Sequence, residues 1–292
     1  MHRRRGRTER LLPALIRATK DPDPECRVNA LKAASAQASL YASEPLKDRV
    51  LRNSLAAMHD PDETVRAAAL GSTTSGLGRR DAETFLGALR AALNDPSVGV
   101  RRAAAEQLGM LAAVQPETQA DVAPILLRVL ASREEPSVRA KAIAGVWLFG
   151  MDRRRDPACL DVVPDLVAAL RDPEVEVRRM TADVLGRTTI DSRCRPVSDW
   201  DLRKATIIPT IERALTDEDR TMREESALAL FGLGRRDPAI IELMEKGAGD
   251  PDRRRQYRFA KAITAWKEES EIAAETSSPG EVPPPGRDEI AP

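Results

Sequence analysis

Residues 95–104 read DPSVGVRRAA and residues 172–181 read DPEVEVRRMT; Asp21 and Asp60 open the related segments DPDPECR and DPDETVR. In all four an Asp-Pro step is followed, six residues after the Asp, by an arginine: Arg27, Arg66, Arg101 and Arg178. Asp217 keeps that interval to Arg223, Ser132 stands one residue farther from Arg139, and Asp250 is followed six on by Gln256. Upstream runs a second recurring segment. PALIRATKD begins at Pro13, PDLVAALRD at Pro164 and PTIERALTD at Pro209, each ending on the Asp eight residues later. PILLRVLAS from Pro124 fits the same frame with Ser132 in the Asp place. Self-similarity at this period marks a stacked array of small units.

Each position has a physical reading as a helix–turn–helix. The first helix carries apolar residues at helical spacing, as Phe85, Leu89, Ala92 and Leu93 show. The Asp is expected to close that helix and cap the next, with the Pro tolerated in the following first turn because its missing N–H had no partner anyway. In the second helix Val65, Val100, Val138 and Val177 are each followed four residues later by Ala69, Ala104, Ala142 or Thr181, and then by Leu108, Val146 and Leu185 in the last three. Small residues at that spacing let two helix backbones approach. Gly78, Gly150, Gly186 and Gly234 are read as helix ends. No unit can bury both its faces alone, so neighbours must stack.

On these motifs, L-P-x-L-x-x-x-L-x-D and D-P-x-x-x-V-R-x-x-A, the chain resembles the HEAT-repeat family, in particular short bacterial HEAT-like repeats. The resemblance implies an all-α fold, an α-solenoid wound as a right-handed superhelix of about seven helix–turn–helix repeats. It further implies first helices on the convex side, second helices on the concave side, and a structural ladder between repeats. That ladder takes Asp21, Asp60, Asp95, Asp172 and Asp217 with Arg27, Arg66, Arg101, Arg139, Arg178 and Arg223, and Gln256 interrupts it. Residues 1–7 read as a basic leader, 8–266 as the array, and 267–292 as a charged, then Pro-rich tail whose end cannot bury a core.

Composition agrees with a helical reading. Aromatic residues are only 3%, and Lys+Arg balances Asp+Glu at 46 each, which argues against a uniformly basic nucleic-acid binder. Cys26, Cys159 and Cys194 are far apart, without a metal-ligand or disulfide pattern. The N-terminal stretch has no uninterrupted apolar segment of a secretory signal and no run spans a bilayer, so a cytoplasmic protein without membrane partners is expected.

Catalysis is hard to place. His2 and His59 are the only histidines, and there is no nucleophile elbow, phosphate-binding glycine loop or H-E-x-x-H. No catalytic residue, metal or cofactor is assigned. Acids gather at helix starts, where capping accounts for them. Basic turns (Arg79-Arg80, Arg153-Arg154-Arg155, Arg235-Arg236) alternate with acidic ones, as the helix dipole favours or as an anion track would require.

Candidate binding residues lie in two places. The Arg178-to-Arg223 interval is 45 residues where the others span 33 to 39, and the excess is the stretch 187–205. It carries Arg187, Arg193, Arg195, Trp200 and Arg203, either a partner anchor or a flap over the adjacent repeat. Arg253, Arg254 and Arg255 open a helix against the dipole rule, for binding or for pairing with Asp217 or Glu218. Trp147 and Trp266 read as packing residues. The expected function is a non-catalytic scaffold that binds a protein or peptide on its concave face or on the inserted loop. The resemblance offers two alternatives: nucleic-acid binding like the HEAT-like DNA glycosylases, and a phycobilin lyase-like activity.

Overall fold

A computed structural model describes residues 2–74, 81–150, 163–190 and 208–276, with fourteen α-helices and no strand among them. The chain divides into two compact units, Met1–Gly234 and Arg235–Pro292. The first holds six helix pairs: α1 (His2–Ala18) and α2 (Pro24–Tyr41), α3 (Glu44–Ala57) and α4 (Glu63–Thr74), α5 (Ala82–Ala92) and α6 (Val98–Val114), α7 (Gln119–Ala131) and α8 (Pro136–Gly150), α9 (Val163–Ala169) and α10 (Val175–Ile190), and α11 (208–214) and α12 (Arg220–Gly232). The second holds one pair, α13 (Pro238–Ala248) and α14 (Arg253–Thr276). The architecture is that of an all-α repeat solenoid, with seven helix pairs among the described residues.

In the first unit the second helices stack in sequence order, α2 on α4, α4 on α6, α6 on α8, α8 on α10 and α10 on α12. Each first helix from α1 to α9 packs beside its own second helix. The expected stripe lies in this stack: Val65, Val100, Val138 and Val177, the small residues four positions on, and then Leu108, Val146 and Leu185 are all buried. Burying one such aliphatic side chain contributes roughly 1.5–3 kcal/mol, so the repeated stripe is the main cohesive term. At the N-terminal end Leu12, Ala34, Ala38 and Val50 form a local core joined by Leu15, Ile16 and Leu46.

Three local expectations change. First, the Asp of the D-P step does not cap the second helix. Its carboxylate accepts the N–H two residues later, as Asp21 does from Asp23 and Asp60 from Asp62; Asp217, followed by Glu218 and no Pro, accepts likewise from Asp219, all at 2.9 Å. The Pro therefore lies in the turn, and the cap is the next acid: Asp23 accepts from Glu25 N–H, Asp62 from Thr64 N–H and Asp219 from Met222 N–H. Second, Gly186 does not end a helix, because α10 continues to Ile190 through residues with no bar to helix. Gly234, at φ +92°, does follow a helix end. Third, a backbone-to-backbone helix approach lies at glycines, where none was expected. A Cβ on Gly109 of α6 would stand 2.2 Å from Gly145 Cα of α8, so these two helices meet backbone to backbone.

The leader is helical from His2 onward, and the charged start of the tail continues α14 to Thr276. Residues 277–292 lie outside the described part.

The glycines give a paired test of the packing. Gly109→Ala is expected to destabilise by about 1–3 kcal/mol, since α6 and α8 must separate. Gly87→Ala, in mid-α5 with nothing within 4 Å of the added methyl, is expected to stabilise by about 0.5–1 kcal/mol. Urea unfolding of both variants checks the opposite signs.

Candidate functional site

The second helices begin with an arginine that faces two ways. Arg27 Nη1 donates to the carbonyls of Asp21 and Pro22 at 2.8 and 3.0 Å, bracing its own turn. Its Nε and Nη2 donate to the two carboxylate oxygens of Asp60, in the next repeat, at 2.9 and 2.8 Å. Arg66 repeats the pattern with Asp60 and Pro61 carbonyls behind it and the Asp95 carboxylate ahead at 2.8 and 2.9 Å. Arg178 likewise holds the Asp172 and Pro173 carbonyls and reaches Asp217 at 2.9 and 3.3 Å. Arg223 braces its own turn through the Asp217 and Glu218 carbonyls. A guanidinium fork matches a carboxylate edge with two parallel bonds, which fixes orientation as well as distance.

The irregular repeat divides the work of one aspartate between two residues. Ser132 Oγ accepts the Glu134 N–H at 3.2 Å, keeping the turn, while the longer Glu134 carboxylate receives Arg101 at 2.9 and 3.0 Å. Arg139, one residue later than usual, donates to the Glu134 carbonyl and pairs with Asp172. A second inter-repeat pair, Arg179 with Asp219, lies beside Arg178–Asp217. The Arg66 bond holds the Asp95 carboxyl below its usual range, and the Arg101 bond does the same for Glu134. Burial pushes Asp217 up, but its bonds from Arg178 and the Asp219 N–H outweigh it and leave the group lowered. Arg179 brings Asp219 down to about 2.

Locked in this register, the second helices present a row of outward residues. Glu25, Asn29, Lys32 and Ala36 recur at helical spacing along α2, and Arg102, Glu106, Met110 and Val114 along α6. Lys141 of α8 bridges to Glu106 at 3.1 Å. Val114 is 54% and Met110 38% exposed, unusual for large apolar side chains in a stacked layer.

The structure separates the candidate residues. Arg193, Arg195, Trp200 and Arg203 lie outside the described residues, as does the side chain of Arg187. So do the basic turns at 79–80 and 153–155. In the second unit Arg255 pairs with Asp250 at 2.6 Å and sits 5.9 Å from the Phe259 ring centroid, so it braces its own turn. Arg253 and Arg254 are exposed, and Asp252 caps their helix through the Arg254 N–H. Arg235 pairs with Asp237, and the Arg236 guanidinium lies 5.7 Å from the Trp266 centroid. Sequence reasoning missed the Arg179–Asp219 pair, whose only signal was a doubled arginine, and the exposed Met110 and Val114, whose apolarity gives no sign of exposure. Among the described residues no group of side chains has the makings of a metal site, and no helix is long and apolar enough to cross a membrane.

Stacked helix pairs tied by recurrent arginine–carboxylate bonds define an α-solenoid repeat protein. The family model described as HEAT repeats matches residues 51–147 and 163–264, and the chain belongs to the HEAT-repeat family. Among solved structures it is similar to YibA of Escherichia coli at 18% identity and TM-score 0.51, covering 89% of this chain and 82% of that one. An engineered protein matches at 17% identity and TM-score 0.51, over 76% and 96% of the two chains. A designed armadillo repeat protein in complex with the peptide (KR)4 matches at 17% and TM-score 0.50, over 76% and 98%. These likenesses show the fold. No curated protein matches at a significant level.

The lowered carboxyls set an acid dependence. A folded-state value below the unfolded one contributes stability above about pH 4, lost as pH falls toward the folded value. The thermal midpoint is therefore expected to hold from pH 7 to about 5 and to fall steeply between about 4 and 2. Asp219→Asn should start lower at pH 7 and fall less over the acid range. An unchanged slope would contradict the assignment.

Proposed function

We propose that the chain is a non-catalytic protein-binding scaffold that seats a partner on the exposed side of its stacked second helices. The observation that carries this reading is the rigid row itself. The arginine bonds fix α2 to α12 in register, and the row mixes apolar Met110 and Val114 with charged Arg102, Glu106, Lys141 and Arg179. Apolar side chains left open between charges are the composition of a contact patch rather than of a solvated face. The family's repeat architecture, and a designed armadillo repeat protein of similar fold in complex with a peptide, support a peptide or protein as the ligand. The insertion at 187–205, with Arg187, Arg193, Arg195, Trp200 and Arg203, is the alternative contact surface; Arg253 and Arg254 offer exposed charge in the second unit.

The nucleic-acid reading asks for free basic groups along one edge. Three of the described arginines, Arg179, Arg235 and Arg255, are engaged by aspartates, which counts against it. Nothing in the described residues singles out a bilin site. A cytoplasmic location remains part of the proposal.

Tagged full-length chain and two variants decide between the surfaces in a pull-down. Met110→Asp with Val114→Asp changes exposed positions and should reduce recovery of a specific protein by about tenfold or more. Arg193→Ala with Arg195→Ala and Trp200→Ala should leave recovery intact. Loss only in the second variant would move the site to the inserted loop; recovery unaffected by either would contradict both surfaces.

A further inference from the structure

The first helices contain a separate concavity. Between the C-terminal end of α5 and one whole side of α7 runs an open groove of about 670 Å³. Residues 120, 121, 124, 125, 128 and 129 of α7 line it, the i, i+1, i+4, i+5 spacing of a single helix face, with Ser132 just past the helix end. From 120 to 129 that face is about 14 Å long at 1.5 Å per residue. Leu93, Ile125 and Val129 give the groove apolar side chains, and Arg90 and Arg128 stand with them.

Its charge is unbalanced. Asp121 is the only acid on the lining, against two guanidinium groups. It meets Arg90 at 3.8 Å with both side chains at least half exposed, too loose to count as a committed bond. Arg128 is exposed and makes no ion pair among the described residues. Arg66 and Arg101 meet their carboxylates in two-pronged bonds at 2.8–3.0 Å, so the Arg90–Asp121 contact is far looser than those rungs.

We infer that this groove is a docking site for an amphipathic helix of a partner protein, one with an aliphatic stripe flanked by glutamate or aspartate. A half-apolar trough about two and a half helical turns long accepts aliphatic anchors at i, i+3, i+4 and i+7 on Leu93, Ile125 and Val129, the mode of helix-in-groove recognition. Carboxylates on its flank meet Arg90 and Arg128, so charge sets which helix enters and in which direction. A basic helix is rejected by the same pair. The surface is formed by first helices, so it stands independently of the second-helix face proposed above.

The probe is a fluorescein-labelled helix of about fifteen residues, built from leucine at those spacings, glutamate on the flanks and alanine elsewhere; its twin carries lysine for glutamate. Fluorescence anisotropy with the full chain is expected to show saturable binding of the glutamate probe and at least about tenfold weaker binding of the lysine twin. Arg90→Glu with Arg128→Glu, both exposed and outside the ladder, should weaken the glutamate probe by about tenfold or more and reverse the preference. Circular dichroism of that variant, expected to match the parent, separates lost docking from lost fold. Asn94→Arg, at another exposed lining position, should tighten the glutamate probe. No saturable binding, equal binding of the two probes, or affinity indifferent to the charge reversal overturns the assignment. Met110→Asp with Val114→Asp should not affect either probe; an effect there would place the probe on the other face.

Discussion

An arginine that braces its own turn with one nitrogen and grips the next repeat's carboxylate with two others is the constraint on which the first unit depends. A repeat array gains stability from each unit and from each interface with a neighbour, and a helix pair of this size cannot bury its faces alone. The aliphatic stripe supplies most of the cohesion but little orientation, since hydrophobic burial is non-directional. The fork from Arg27 to Asp60, repeated through Arg178 to Asp217, supplies direction. Each acceptor aspartate also closes its own turn, so a rung links two turn geometries and the spacing between them.

Such a device tolerates variation if its separate tasks are preserved. Ser132 and Glu134 share what one aspartate does elsewhere, and Arg139 shifts by one residue without losing Asp172. Backbone contact supplies the other local limit: Gly109 and Gly145 bring α6 and α8 together more closely than any side chain would permit. In the second unit the same chemistry closes within a single turn, with Arg255 on Asp250 and Gln256 in the usual arginine place.

The fold was legible because its signal repeats. One D-P-x-x-x-V-R segment says little, while several at a regular interval, with Val65, Val100, Val138 and Val177 in the same place, can only be a stack. Details decided by neighbours were less legible. Which residue caps a second helix depends on where the turn's hydrogen bonds fall, and two acids two residues apart, such as Asp60 and Asp62, look alike in a string. Gly186 looked like Gly234, but only the latter adopts the left-handed backbone. The groove beside α7 had no signal, because a concavity between two first helices depends on how they pack and not on any one residue. The 187–205 insertion was conspicuous in the spacing and lies outside the described residues.

The central claim is that the rungs, and not burial alone, hold neighbouring repeats in register. A double-mutant cycle on Arg66 and Asp95 tests it, with Arg66→Met, Asp95→Asn and both together, read by urea unfolding. Asparagine keeps an oxygen for the Ser97 N–H, so the cycle isolates the pair. The account predicts a coupling energy of about 1–3 kcal/mol between the two positions. Additive losses, with coupling indistinguishable from zero, would contradict it and leave the apolar stripe to set the register.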